Sequence, residues 1–250
     1  MSTRPLVLIT GGSRGLGRHM ALALAKDADL ILTYQRQAAH AAETAAECEK
    51  LGATVATLPL EVGGDVAQAF AAAVAALRES RFGNRALFGL VNNAGMAGHA
   101  AIADTSPELF ASLVRAHVEG PFFITQALLP QLADGGRILN VSSGLTRFSL
   151  PGYSAYAMMK GALEVFTRYL AKELGPRQIR VNTLAPGAIE TDFGGGVVRD
   201  NPHVNTFIAS QTALGRVGLP EDIGEIAVQL ILGAGWVTGQ RIEASGGMFL

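Results

Sequence analysis

Short β-branched or leucine-rich runs alternate with longer Ala/Leu-rich amphipathic stretches from one end of the chain to the other. The runs LVLIT (6–10), LILTYQ (30–35), TVATLPL (54–60), LFGLVNN (87–93), RILNVSS (137–143), IRVNTLA (179–185) and QRIEA (240–244) predict about seven strands. Helices of ten or more residues between strands imply right-handed βαβ units. The expected fold is therefore an α/β, Rossmann-like doubly wound parallel sheet with helices on both faces. No repeat, low-complexity tract or Pro/Ser linker interrupts the alternation, so residues 1–250 are expected to form one domain.

In such sheets, ligands bind beyond the carboxyl ends of the strands. The first strand runs into TGGSRGLG, whose Gly11, Gly15 and Gly17 open the helix RHMALALAKD. Glycines let a backbone turn tightly and let a pyrophosphate approach free helix N–H groups, so Gly11, Ser13, Arg14, Gly15, Leu16 and Gly17 are expected to hold a dinucleotide. A phosphate-binding loop of the nucleotide-hydrolase type fails, because Arg18 and His19 stand where Lys and Ser/Thr are needed. GGSRG also fits a hydrolase elbow with Ser13 as nucleophile and Asp192 or Asp200, then His203, in the right chain order. That alternative leaves the later motifs unexplained.

The second strand ends in TYQRQ, with no acid from Leu30 through Ala42; Asp29 lies at the wrong end. Arg36, with Arg14 opposite, suits a ribose 2′-phosphate, so NADP(H) is expected over NAD(H).

Composition narrows the function classes. Hydrophobic residues make up 49% and charged ones 16%, with a net charge of -1, which suits a globular protein and supplies no basic field for nucleic acid. The lone Cys48 cannot form an intrachain disulfide or a thiolate zinc site, so no metal is expected and a reducing compartment fits. No run suggests a signal peptide or membrane span, and the protein is expected to be cytoplasmic with no membrane partner.

The stretch YSAYAMMK places Tyr156 and Lys160 four residues apart, on one face of a helix beginning near Ser154. A phenol with a pKa of about 10 is lowered by an adjacent cation. So tuned, it can give a proton to a ketone oxygen or take one from an alcohol.

Together with NNAG (92–95), the serine strand ending at Ser143, PGAIETD (186–192), GRVGLPEDI (215–223) and WVTGQ (236–240), these motifs resemble the short-chain dehydrogenase/reductase family of the 250-residue single-domain type, over essentially the whole chain. The resemblance implies ketone–alcohol interconversion by hydride transfer, with Tyr156 as general acid/base, Ser143 on the carbonyl, and Lys160 on the ribose hydroxyls and beside the phenol. It further implies Asn92, Ala94 and Gly95 at the adenine ribose, Glu61 and Val62 at the adenine, and Pro186, Gly187, Ile189 and Thr191 at the nicotinamide. His117 replaces the usual tetrad asparagine, and its imidazole is expected to relay protons with an added pH dependence near neutrality.

Met96, Leu145, Phe148, Tyr153 and Phe193 are expected to line a pocket for an apolar carbonyl or alcohol substrate, covered by a lid hinged at Gly194 to Gly196. Reduction of a 3-oxoacyl chain on a carrier protein is the main enzymatic alternative, and a silent NADP(H) sensor the non-enzymatic one. The family further implies a homotetramer or homodimer.

Overall fold

The computed structural model describes residues 4–63 and 65–250. Seven parallel strands form its sheet: β1 Leu6–Ile9, β2 Asp29–Tyr34, β3 Val55–Pro59, β4 Leu87–Asn92, β5 Leu132–Val141, β6 Arg180–Pro186 and β7 Arg241–Ala244, in the order β3-β2-β1-β4-β5-β6-β7. The helices are α1 Gly15–Leu24, α2 Ala38–Lys50, α3 Ala67–Arg81, α4 Pro107–Val114, α5 Gly120–Leu128, α6 Ser154–Leu174, α7 Val197–Asp200, α8 Pro202–Ser210 and α9 Pro220–Leu232. This is the doubly wound α/β fold expected from the alternation of the sequence.

Strand periodicity divides the core between the two faces. Leu6 and Leu8 pack with Phe70 and Val74 of α3, Ile124 and Leu128 of α5, and Leu170 of α6. Val7 and Ile9, one residue out of phase, pack with Met20 and Leu24 of α1 and Ile223 and Ile231 of α9. Burying each such side chain contributes about 1.5–3 kcal/mol, which fixes the register, because a one-residue slip exchanges the faces.

From β1 the chain winds outward through β2 and β3, then returns to place β4 on the other side of β1. The crevice between the carboxyl ends of β1 and β4 is therefore the topological switch point. At the opposite end of β2, Asp29 pairs with Arg85 at 2.6 Å and accepts from the Thr54 N–H at 2.7 Å, so its carboxylate is structural. β5 starts five residues earlier than the sequence pattern predicts: ADGG reads as a turn, yet Leu132 pairs with Leu87 before a register shift carries the ladder on from Arg137.

Candidate active site

α1 opens with nothing to neutralise its N-terminus: Arg14 is the N-cap without a side-chain cap bond, and the first turn holds no acid. Its free N–H groups face the crevice, where the helix dipole favours an anion. A Cβ on Gly17 would collide with the Gly11 carbonyl oxygen and meet Asn93 Nδ2 at 2.6 Å. The turn is therefore packed too closely for any side chain there. Asn93 locks it, donating from Nδ2 to the carbonyls of Thr10 (2.9 Å) and Gly11 (3.1 Å), while Thr10 Oγ1 accepts from the N–H groups of Asn93 and Ala94.

One cleft of about 980 Å³ runs from this turn to the loops beyond β5 and β6, and it brings together nearly every residue singled out in the sequence. Arg14 and Arg36 stand exposed at its rim with no carboxylate partner among the described residues, beside Glu61 and Val62 after β3. Pro186, Gly187, Ile189 and Thr191 form the wall beyond β6, and Ala94 and Gly95 the wall beyond β4. This shape and donor set fit a dinucleotide phosphate: glycine backbone, helix N-terminus and two free guanidinium groups.

Asn92 is the exception. It ends β4 pointing into the core, 4% exposed, and donates to Thr125 Oγ1 at 3.0 Å and Asn140 Oδ1 at 2.8 Å, so it stitches β4 to β5 and α5 and does not line the cleft. The cleft residue is Asn93, which alternation along the strand would have selected.

Ser143, Tyr156 and Lys160 meet where the cleft turns apolar. Ser143 Oγ accepts from the Leu145 N–H at 3.2 Å, which leaves its own hydrogen free to donate. Tyr156 is buried on α6, and burial raises its phenol above the ordinary range; the Ser143 hydroxyl opposes that rise and Tyr153 adds to it. Lys160 donates from Nζ to the Val141 carbonyl at 2.7 Å, and burial pushes its ammonium down to about 7.

Burial, not the Lys160 ammonium, sets the direction of the Tyr156 shift. Nζ lies 5.6 Å from the Tyr156 ring centroid and is held by the β5 backbone.

His117 lies in a π-helical turn, Arg115–Glu119, between α4 and α5. Its ring packs edge-on against Tyr156 with centroids 5.3 Å apart. Nε2 is 2.9 Å from the Met96 carbonyl oxygen, so the neutral Nε2–H tautomer donates there, and Nδ1 is buried with no partner. Burial, assisted by Lys160, drives the imidazole down to about 3 against the opposing Met96 bond. The expected titration near neutrality is therefore corrected: His117 is neutral at physiological pH and latches the Met96 loop.

Met96, Leu145, Phe148, Tyr153 and Phe193 line the apolar end of the cleft. Val204, Phe207 and Ile208 of α8 and Met248 near the C-terminus join them; nothing in the local sequence separates these from ordinary core residues. Gly194, Gly195 and Gly196 all take left-handed φ, 64°, 77° and 75°, between Phe193 and α7. Only glycine adopts three such residues in succession without strain. Ser13 is buried in the glycine turn and, among the described residues, makes no bond to a histidine, while His203 sits at the start of α8, so no hydrolase triad assembles there.

A family model described as enoyl-(acyl carrier protein) reductase matches residues 11–249. The tetrahydroxynaphthalene reductase PfmaG of Pestalotiopsis fici is 34% identical, over 97% of this chain and 90% of its own length. The short-chain dehydrogenase/reductase FrzI of a Cladobotryum species is 34% identical, over 96% of this chain and 94% of its own. The crystal structure of the angucycline C-6 ketoreductase LanV with bound NADP superposes with a TM-score of 0.90 at 37% identity, covering 98% of this chain and 95% of that one.

Proposed function

Because the chain belongs to the short-chain dehydrogenase/reductase family, we propose that it reduces a ketone on a fused-ring aromatic molecule to the secondary alcohol, using NADP(H). The observation that carries this reading is one continuous cleft, in which the hydroxyls of Ser143 and Tyr156 stand between a phosphate-binding turn and an apolar chamber. Two relatives are named for a tetrahydroxynaphthalene and for an angucycline, which agrees with the aromatic and aliphatic lining here. Arg14 and Arg36, which have no carboxylate partner among the described residues, favour the 2′-phosphate of NADP(H).

When bound, the reduced dinucleotide supplies a hydride to the carbonyl carbon. Ser143 donates its free hydrogen to the carbonyl oxygen, and Tyr156 gives up the proton at Oη as negative charge develops there. A phenol is protonated at neutral pH, as a proton donor must be, and the Ser143 hydroxyl opposes the rise that burial imposes on it. Lys160, buried beneath the ring, is the nearest ammonium from which the phenol is recharged.

The carrier-bound 3-oxoacyl reading is weaker. Asp134, near the start of β5, is paired with Arg177 at 2.8 Å, so the cation there already faces a carboxylate. We further read the exposed aromatic face of α5 and α6 as the seat of a homo-oligomer.

NADPH and NADH oxidation over fused-ring ketones, acetoacetyl thioesters and sugars tests the proposal. Turnover of fused-ring ketones with NADPH is expected. Turnover confined to thioesters overturns the substrate class, and tight NADPH binding without turnover of any ketone leaves a sensor.

A further inference from the structure

Four charged side chains that the reduction does not use run in a line behind the Ser143 loop. Glu164 lies one turn beyond Lys160 on α6, and its Oε1 accepts three bonds: Ser142 Oγ at 2.7 Å, Thr146 Oγ1 at 2.7 Å and Arg241 Nε at 2.9 Å. Arg241, on β7, also reaches Glu243 at 2.9 Å and the Ser143 carbonyl at 3.4 Å. Glu243 then takes both arms of the Arg147 fork at 2.6 Å and the Ser245 hydroxyl at 2.7 Å. Arg147 finishes the line by donating to the carbonyls of Met248 at 2.5 Å and Phe249 at 3.0 Å.

This chain of contacts joins three pieces of backbone that sheet and helix hydrogen bonds leave separate. The last ladder-type bond of the serine segment is from Ser142 N–H to the Leu184 carbonyl; from there to Leu150, among the described residues, the loop's long-range polar anchors are these side chains, and the next backbone anchor is Ala100 N–H to the Gly152 carbonyl at 2.9 Å. At the other end, Phe148 packs on Phe249 with centroids 4.9 Å apart, and both Phe148 and Met248 face the apolar chamber.

The side chains of Glu164 and Glu243 are only 13% and 18% exposed. Apolar packing of the same volume would serve stability as well or better than partly buried ion pairs. What the charged version adds is directional: a carboxylate accepting three donors and a bidentate fork fix distance and angle together. Glu243 remains ionised throughout the working range, because the Arg147 bonds hold its carboxyl down at about 2.

We propose that Glu164 and Arg147 are positioning residues at the two ends of one ionic brace. The Glu164 end sets where the Ser143 hydroxyl stands, and the Arg147 end sets how the C-terminal Met248–Phe249 segment closes the substrate chamber. The assignment rests on the ketoreductase reading for its kinetic consequences and on the ligand-free protein for its structural ones.

The two ends are expected to separate in kinetics. Glu164→Gln keeps the volume and lowers kcat about tenfold, with KM for NADPH within about twofold. Arg147→Met raises KM for a three-ring ketone about tenfold while leaving a single-ring ketone unaffected. Arg147→Lys, which retains charge but not the fork, recovers only part of this. Should Glu164→Gln fold poorly, the neutral pair Glu164→Gln with Arg241→Gln leaves no orphaned charge and is expected to show the same fall in kcat at wild-type Tm.

Amide hydrogen exchange of the ligand-free full-length protein supplies a readout independent of turnover: residues 142–150 and 245–250 are expected to exchange faster together in each variant, with the β1–β4 core unchanged. Wild-type kinetics and exchange in all variants overturn the brace. Wild-type protein that reduces no ketone, with exchange still coupled as described, overturns the functional reading and leaves the brace standing.

Discussion

At the scale of single residues, burial decides what each titratable group can do. Tyr156 is raised by desolvation and so holds its proton, whereas Lys160 is lowered to about 7 and His117 to about 3. Tyr156→Phe is therefore expected to lower kcat/KM by about a thousandfold, with NADPH affinity by fluorescence titration unchanged. The free-enzyme kcat/KM profile is expected to fall as pH rises through about 7, where Lys160 loses its charge, and to be the same in wild type and His117→Asn between pH 5.5 and 8. A profile shifted by His117→Asn in that window sinks the neutral assignment.

Stability carries the matching sign. A histidine depressed on folding stabilises fully above its unfolded value of 6.5 and loses that contribution as pH falls toward about 3. Acid unfolding of His117→Asn should accordingly lie at lower pH than that of the wild type, as measured by circular dichroism.

Among the elements, the glycine turn and the end of β2 divide the work of cofactor choice. On the proposed reading the helix N-terminus takes any pyrophosphate, and preference is assigned to Arg14 and Arg36, which line the same cleft. Charge-assisted contacts of this kind are worth about 1.5–3 kcal/mol each, so Arg36→Ala is expected to raise KM for NADPH about 10–100-fold and leave KM for NADH within about twofold. Equal losses for both cofactors, in steady-state assays, would place Arg36 elsewhere.

The elements also show why some of the site was legible in the sequence and some was not. Strands, the glycine turn and the Tyr156/Lys160 pair announce themselves through local periodicity and spacing, and all but one of the proposed site residues reach the cleft. Asn92 does not, because strand register, which motif matching ignores, turns it toward Asn140. The π-helical turn at Arg115–Glu119 is invisible in sequence, since VRAHVEG reads as an unbroken amphipathic helix. Its consequence, a buried His117, reverses the expected titration. The chamber residues on α8 and at the C-terminus come from distant segments that only the folded chain brings together.

For the molecule as a whole, the face read as the seat of a homo-oligomer can be tested directly. Phe122 (41% exposed) and Phe123 (37%) on α5 stand with Val165 (44%) and Tyr169 (66%) on α6, and the Phe122 and Phe166 rings pack 5.1 Å apart across the two helices. A cluster of large apolar side chains on adjacent helices is costly to leave in water and marks an association surface. A net charge of -1 sets no repulsion against a second copy. The same α6 turns Tyr156 and Lys160 inward, so a partner seated on its outer face would stiffen the helix that carries the acid. Native mass spectrometry is therefore expected to give a multiple of 26.1 kDa for the wild type and a monomer for Phe122→Glu with Tyr169→Glu. Because the helix then loses its outer support, kcat should drop by several-fold while NADPH affinity is retained, and a wild type that is monomeric at micromolar concentration would overturn the arrangement.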